Sequence, residues 1–199
     1  MPGVGRDESA ARCDALVIGG GVCGLWTLHA LRVAGYAAWL IEKSALGDGQ
    51  TIASQGILHA GAKYKLPGNA VDAAQAVEDV LESCERALLS DDMVEPLSPD
   101  LSGVSVIDER TLLWTTPGFG SKVAAKGAAR VMRSKVSRIP RDQCPAGCEH
   151  APRGVEIYET TEMVLDPCSL LEQLACGRFT NGHVRQGDIA SITLSGASR

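Results

Sequence analysis

Gly19, Gly21 and Gly24 stand in G-x-G-x-x-G spacing, and an acid, Glu42, follows 23 residues after the first of them. Each residue type answers a need of a bound pyrophosphate. Gly19 lets the chain turn, Gly21 lets the backbone come close to an anion, and Gly24 lets a helix lie against a sheet. The anion then rests on the helix start at Val22 and Cys23, where free N–H groups and the helix dipole favour negative charge. Glu42, followed by Lys43, would accept hydrogen bonds from an adenosine ribose. A carboxylate there repels a 2′-phosphate, so the pattern points to an ADP-containing dinucleotide and against NADP.

These residues work only if a strand, a tight turn, a helix and a second strand hold them. DALVI at 14–18 is a short apolar run that ends at the glycines, and an apolar-rich stretch then leads to Gly35, placed to be a left-handed helix cap. AAWLIE follows as a strand ending at Glu42, which completes a βαβ unit with a right-handed crossover. One position departs from the pattern. Leu28, four after Gly24, stands where a small residue is usual, which predicts a helix slightly farther from the sheet. Cys23 lies at a helix start that would stabilise a thiolate, but it reads as a small apolar residue packed in the turn.

A βαβ unit alone does not separate NAD from FAD, and the next segment bears on that choice. Residues 44–61 are rich in Gly, Ser, Thr, Gln and Ala, and read as a loop or a loop entering a short helix. Within them, GDGQTIASQGILHAGAKY (47–64) resembles the stretch after the second strand in the D-amino acid oxidase-like superfamily of FAD enzymes. That superfamily includes glycerol-3-phosphate dehydrogenase, L-2-hydroxyglutarate dehydrogenase and glycine oxidase. The resemblance implies FAD as cofactor and an oxidoreductase that takes hydride from a C–H bond next to an amine or hydroxyl of a small molecule. By position it implies Gln50, Thr51 and Ser54 at the phosphates or ribitol, and Gln55, Gly56 and Ile57 beside the isoalloxazine. It places His59 near the ring as the candidate catalytic residue, with Lys63 and Tyr64 carrying weaker claims. A planar ring also needs close backbone approach, which Ser54, Gly56, Ala60 and Gly61 permit.

Beyond Pro67-Gly68 a helical pattern runs to about Leu89, and the acidic, Pro-containing DDMVEPLSPD breaks it. VSVID (104–108) and TLLWT (111–115) read as strands, and their separation by Glu109-Arg110 predicts a hairpin. Pro117 to Arg133 reads as a helix with Lys122, Lys126, Arg130 and Arg133 on a solvated face, whereas 138–154 holds too many Pro and Gly to be regular. VEIYETT (155–161) alternates like a strand. Asp166 and Pro167 supply a cap and first position for a helix to about Ala175. From Val184 to Leu194 the pattern suggests a hairpin or a pair of short strands.

The expected fold class is therefore α/β, a Rossmann-like FAD-binding domain with the start of an α+β substrate domain. Residues 13–66 form the ADP-binding unit and flavin loop, 67–160 a partial substrate or cap region, and 161–199 a return segment to the FAD domain. The resemblance spans about 13–195 and is sharp over 14–64. Its members are considerably longer, so the chain is expected to be truncated at its C-terminus, with the missing half supplying further strands and most substrate contacts.

Composition narrows the alternatives. The 199 residues are 45% hydrophobic and 22% charged, the balance of a soluble globular protein. A net charge of -5 and only 4% aromatic residues leave neither the basic surface nor the stacking platforms of a nucleic-acid binder. No run approaches the roughly 20 apolar residues of a membrane span, and MPGVGRDESAAR has no export signal, which makes a cytoplasmic protein the expectation. Seven cysteines, an odd number, suggest reduced thiols. Cys144, Cys148 and His150 lack the further pair that structural zinc needs, so no metal is expected. Two other readings stay open: an NAD-dependent reductase, which needs a nicotinamide-side half-domain after Glu42, and a non-catalytic remnant that binds ADP-containing ligands. The electron acceptor is not legible.

Overall fold

A computed structural model describes residues 12–58, 84–88, 98–115 and 136–189. In chain order these form β1 (Ala15–Ile18), α1 (Val22–Val33), β2 (Ala38–Glu42), β3 (Val106–Asp108), β4 (Thr111–Trp114), β5 (Val136–Ile139), β6 (Ile157–Thr160), β7 (Val164–Leu165), α2 (Pro167–Cys176) and β8 (Val184–Gln186). β1 and β2 are parallel, with Ala15 opposite Ala38 and Ile18 opposite Ile41. Alternation along them gives one face Val17, Ala38 and Leu40, and the other Leu16, Ile18, Trp39 and Ile41.

α1 packs on the first face. Leu25 and Leu28, three apart and so on one side of the helix, are fully buried there. The helix stops as Gly35 implies: at φ +90 it lets its own N–H reach Arg32 O and the Tyr36 N–H reach Leu31 O, so two last-turn carbonyls are satisfied. α2 starts on the Asp166 carboxylate, which accepts the Cys168 and Ser169 N–H groups at 3.3 and 3.0 Å, with Pro167 at the first position. Leu171 and Leu174 of α2 join Leu25, Leu28, Ala38, Leu40, Leu101, Val104 and Leu165 in one core.

One strand pairing differs from expectation. β3 and β4 form no hairpin with each other, since β3 pairs antiparallel with β7, and β4 with β6 in a sheet ordered β4-β6-β5. Between them Asp108 Oδ1 accepts the Arg110 N–H at 3.0 Å, a local turn that sends the chain from one sheet into another. Of the hairpin or pair of short strands expected over 184–194, Val184–Gln186 is a strand, and the part from 190 lies outside the described residues. β8 runs parallel to β2, so among the described residues the sheet is ordered β1-β2-β8. β7, only two residues long, had no period by which to be read.

Between 138 and 154 the chain is irregular as expected apart from the end of β5, with 3-10 turns at Arg141–Gln143 and Cys148–His150. Of the helix expected over 67–89, residues 84–88 are helical. The rest of it, the helix expected at 117–133 and the tail from 190 lie outside the described residues.

Candidate cofactor site

The glycine turn joins β1 to α1, and each glycine is needed for a separate reason. Gly19 has φ +105, a conformation L side chains rarely adopt. A Cβ at Gly24 would run into the Gly19 carbonyl, so helix and turn touch backbone to backbone. At Gly20 a Cβ would strike Leu46 and lie 3.0 Å from the Glu42 Cβ, a constraint that the dinucleotide spacing alone does not reveal. Gly21 precedes α1 and offers no capping side chain. Instead Thr51 Oγ1, from the loop after β2, accepts the Val22 N–H at 3.1 Å.

Glu42 is bound on both carboxylate oxygens. Oε2 accepts the Gly20 N–H at 2.6 Å, while Oε1 accepts the N–H and hydroxyl of Ser44 at 2.9 and 3.1 Å. The Gly20 amide first, and then the Ser44 amide, hold this carboxyl below the usual glutamate range, because hydrogen bonds to the charged form favour it. β8 braces the same corner, with Gln186 Nε2 donating to Ser44 O at 3.1 Å and Gly187 N to Glu42 O at 2.9 Å.

A cavity of about 590 Å³ opens between these parts. Ten expected residues form its wall: Gly21, Val22, Cys23, Glu42, Gln50, Thr51, Ser54, Gln55, Gly56 and Ile57. Gly19 and Gly24 shape the turn without lining it, and Lys43 is exposed outside the wall. Cys23 is exposed along the wall and not packed as expected, because at the start of α1 it faces the cavity. His59, Lys63 and Tyr64 lie outside the described residues.

Seven wall residues went unread in the sequence: Gly47, Asp48, Gly49, Leu58, Leu165, Pro167 and Leu170. Their contribution depends on tertiary pairing. Leu165 N donates to Gly56 O and Leu58 N to Met163 O, both at 2.9 Å, so the loop is stitched to β7. A Cβ on Gly56, at φ +69, would strike the Leu165 carbonyl, and one on Gly47, at φ +73, would strike Leu171 of α2. The loop is thus held at both ends by the segment around Asp166. One end of the cavity offers a helix N-terminus, a hydroxyl and a carboxylate, while Ile57, Leu58, Leu165 and Leu170 make other parts apolar. This donor set and close backbone fit a dinucleotide that carries a large planar ring. Among the described residues no three His, Cys, Asp or Glu are grouped to hold a metal, and no helix is long and apolar enough to cross a membrane.

A parallel sheet, a glycine turn that opens a helix and an acid at the end of the next strand define a dinucleotide-binding α/β protein. The chain belongs to the FAD dependent oxidoreductase (DAO) family, whose model matches residues 14–192. FAD is the cofactor of that family, which does not favour the NAD reading. A protein of Pseudomonas aeruginosa described as a probable FAD-dependent oxidoreductase is 36% identical over 166 residues, covering 83% of this chain and 41% of its own. The chain thus spans well under half the length of that curated relative. The crystal structure of an FAD dependent oxidoreductase from the same organism matches with a TM-score of 0.56 at 29% identity, over 84% of this chain and 37% of that one. Glycine oxidase from Geobacillus kaustophilus matches with a TM-score of 0.59 at 15% identity, over 89% of this chain and 47% of its own. L-α-glycerophosphate oxidase from Mycoplasma pneumoniae, solved with FAD bound, matches with a TM-score of 0.60 at 15% identity, over 89% and 44%. At that identity the last two likenesses bear on the fold alone.

Proposed function

We propose that this chain holds FAD in the cavity between α1, the 47–58 loop and the start of α2, as part of an enzyme that oxidises a small amine or hydroxy acid. The observation that carries the reading is the single cavity that joins the α1 N-terminus and Glu42 to the apolar surface of Ile57, Leu58 and Leu165. In this reading residues 13–66 and 161–199 build the cofactor domain, supported by the pairing of β8 with β2, and 67–160 the substrate region. FAD, when bound, accepts a hydride at N5 from a C–H bond beside nitrogen or oxygen.

The chain's own residues bind and orient. The other amides at the start of α1 meet the pyrophosphate, and Thr51, which accepts the Val22 N–H, turns its hydroxyl proton toward a phosphate oxygen. Glu42 takes the ribose hydroxyls, and the Gly20 and Ser44 bonds keep it ionised for that task. Gln50 and Ser54 serve the phosphates or ribitol, and Gln55, Gly56 and Ile57 border the ring. His59 is the candidate for a residue beside the reacting atoms. The amine or hydroxy-acid class rests on the resemblance of 47–64.

Titration of the purified chain with FAD, followed by flavin fluorescence and with ADP as competitor, tests the cofactor assignment. Saturable FAD binding that ADP displaces supports it. Preference for NAD, or a folded chain that binds neither FAD nor ADP, overturns it.

A further inference from the structure

We propose a second binding site, for the phosphate dianion of a small phosphorylated metabolite, built by Arg138, Arg141 and Arg153. The three side chains line one cavity of about 360 Å³ together with Gly154, Val155 and Glu156, and it shares no residue with the dinucleotide cavity. Three exposed arginines and one glutamate therefore carry the charge of this open groove. That carboxylate is also engaged elsewhere, because Glu156 Oε2 accepts the Tyr158 hydroxyl at 2.9 Å. Its Oε1 lies 3.7 Å from Arg138 Nη2, an ion pair too long for a direct hydrogen bond.

Arg141 is fixed in place. Its Nη1 donates to Ala151 O at 2.9 Å and its Nη2 to Pro152 O at 2.6 Å, so its plane is set against the loop that carries Arg153. Two of the five N–H donors of a guanidinium are used there and three remain. Closing the 141–152 loop is sufficient reason for Arg141 alone. It gives no reason for Arg153 on the same cavity, and Arg138 has only the long pair with Glu156, in a chain whose net charge is -5. Like charges gathered there repel, and a bound dianion removes that repulsion.

The ligand class follows from charge, shape and size. The excess of two positive charges matches a phosphate monoester, which carries about -1.5 to -2 at pH 7 and three acceptor oxygens. Planar guanidinium forks bind such oxygens in pairs. The volume lies near the lower bound of small-molecule pockets, about 300–1,000 Å³, so a small phosphorylated molecule fits.

Calorimetric titration of the purified chain with phenyl phosphate, with benzoate as the singly charged comparison, tests the proposal independently of the flavin assignment. Arg138→Gln with Arg153→Gln is the chosen variant, because neither residue braces the loop as Arg141 does. The expected result is saturable phenyl phosphate binding, weaker benzoate binding, and at least a roughly tenfold loss of phenyl phosphate affinity in the variant, the scale of one charged hydrogen bond. No saturable binding, equal binding of benzoate, or a signal that survives in the variant, and so belongs to the dinucleotide cavity, overturns it.

Discussion

The Thr51 hydroxyl oxygen lies 3.1 Å from the Val22 amide nitrogen and 3.1 Å from where a Cβ on Gly21 would stand, so a loop residue occupies the mouth of α1. Thr51→Val keeps the shape and removes the acceptor. We expect it to cost about 0.5–1.5 kcal/mol, the range for a neutral hydrogen bond, and to weaken FAD binding as well. Thr51→Ser should recover most of both. Urea unfolding and flavin titration on the two variants check this, and equal behaviour of Val and Ser would remove the hydroxyl from the site.

Glu42→Ala deletes the proposed ribose acceptor together with the partner of the Gly20 amide. FAD affinity should fall on the order of tenfold to a hundredfold, as for loss of hydrogen bonds to a charged group. Unchanged affinity in a fluorescence titration would show that the ribose lies elsewhere.

The Glu42 carboxyl also predicts a pH dependence of known sign. The Gly20 and Ser44 donors lower its folded-state pKa below the unfolded value, so the stabilisation is present above the ordinary glutamate range, near pH 4.3, and is lost as pH falls through the lowered value. Thermal unfolding of the wild type and of Glu42→Gln should therefore differ near neutral pH and converge in acid. A gap that does not change with pH would mean that charge on Glu42 does nothing for the turn.

Gly24→Ala drives a Cβ into the Gly19 carbonyl, a backbone atom that cannot rotate aside. We expect a loss of about 1–3 kcal/mol, the usual cost of overpacking. Gly49→Ala, where a Cβ meets no atom within 4 Å, serves as the matched control and should unfold at close to the wild-type temperature. Similar losses at both positions would place the cost outside the α1 contact.

Local chemistry was legible wherever a residue's role is set by its neighbours in sequence. Gly19 and Gly24 in the turn, Gly35 after α1 and the Asp166-Pro167 start of α2 each carry their geometry in a few adjacent positions. What escaped depends on partners far along the chain. Val106–Asp108 and Thr111–Trp114 read as strands correctly, but alternation does not say which strand lies alongside, and the two-residue gap between them imitated a hairpin. Val184–Gln186 is a strand as read, but its parallel pairing with β2 could not be read locally. Leu165 and Leu170 looked like ordinary apolar residues, and only the pairing of Gly56 with Leu165 brings that segment to the cavity wall.

The placement of β8 has a kinetic consequence. Gln186 holds Ser44 across 142 residues, whereas β1, α1 and β2 lie within 28 consecutive positions, from Ala15 to Glu42. During synthesis the short unit has all its own partners long before the third strand exists. Closing the long loop adds an entropic barrier that grows by only about 0.6 kcal/mol per doubling of length, yet it must be crossed before the distant contacts form. Among the described strands, the pairing that braces Glu42 is therefore the last to form, and in the proposed reading a tightly held cofactor marks a chain that has finished that search.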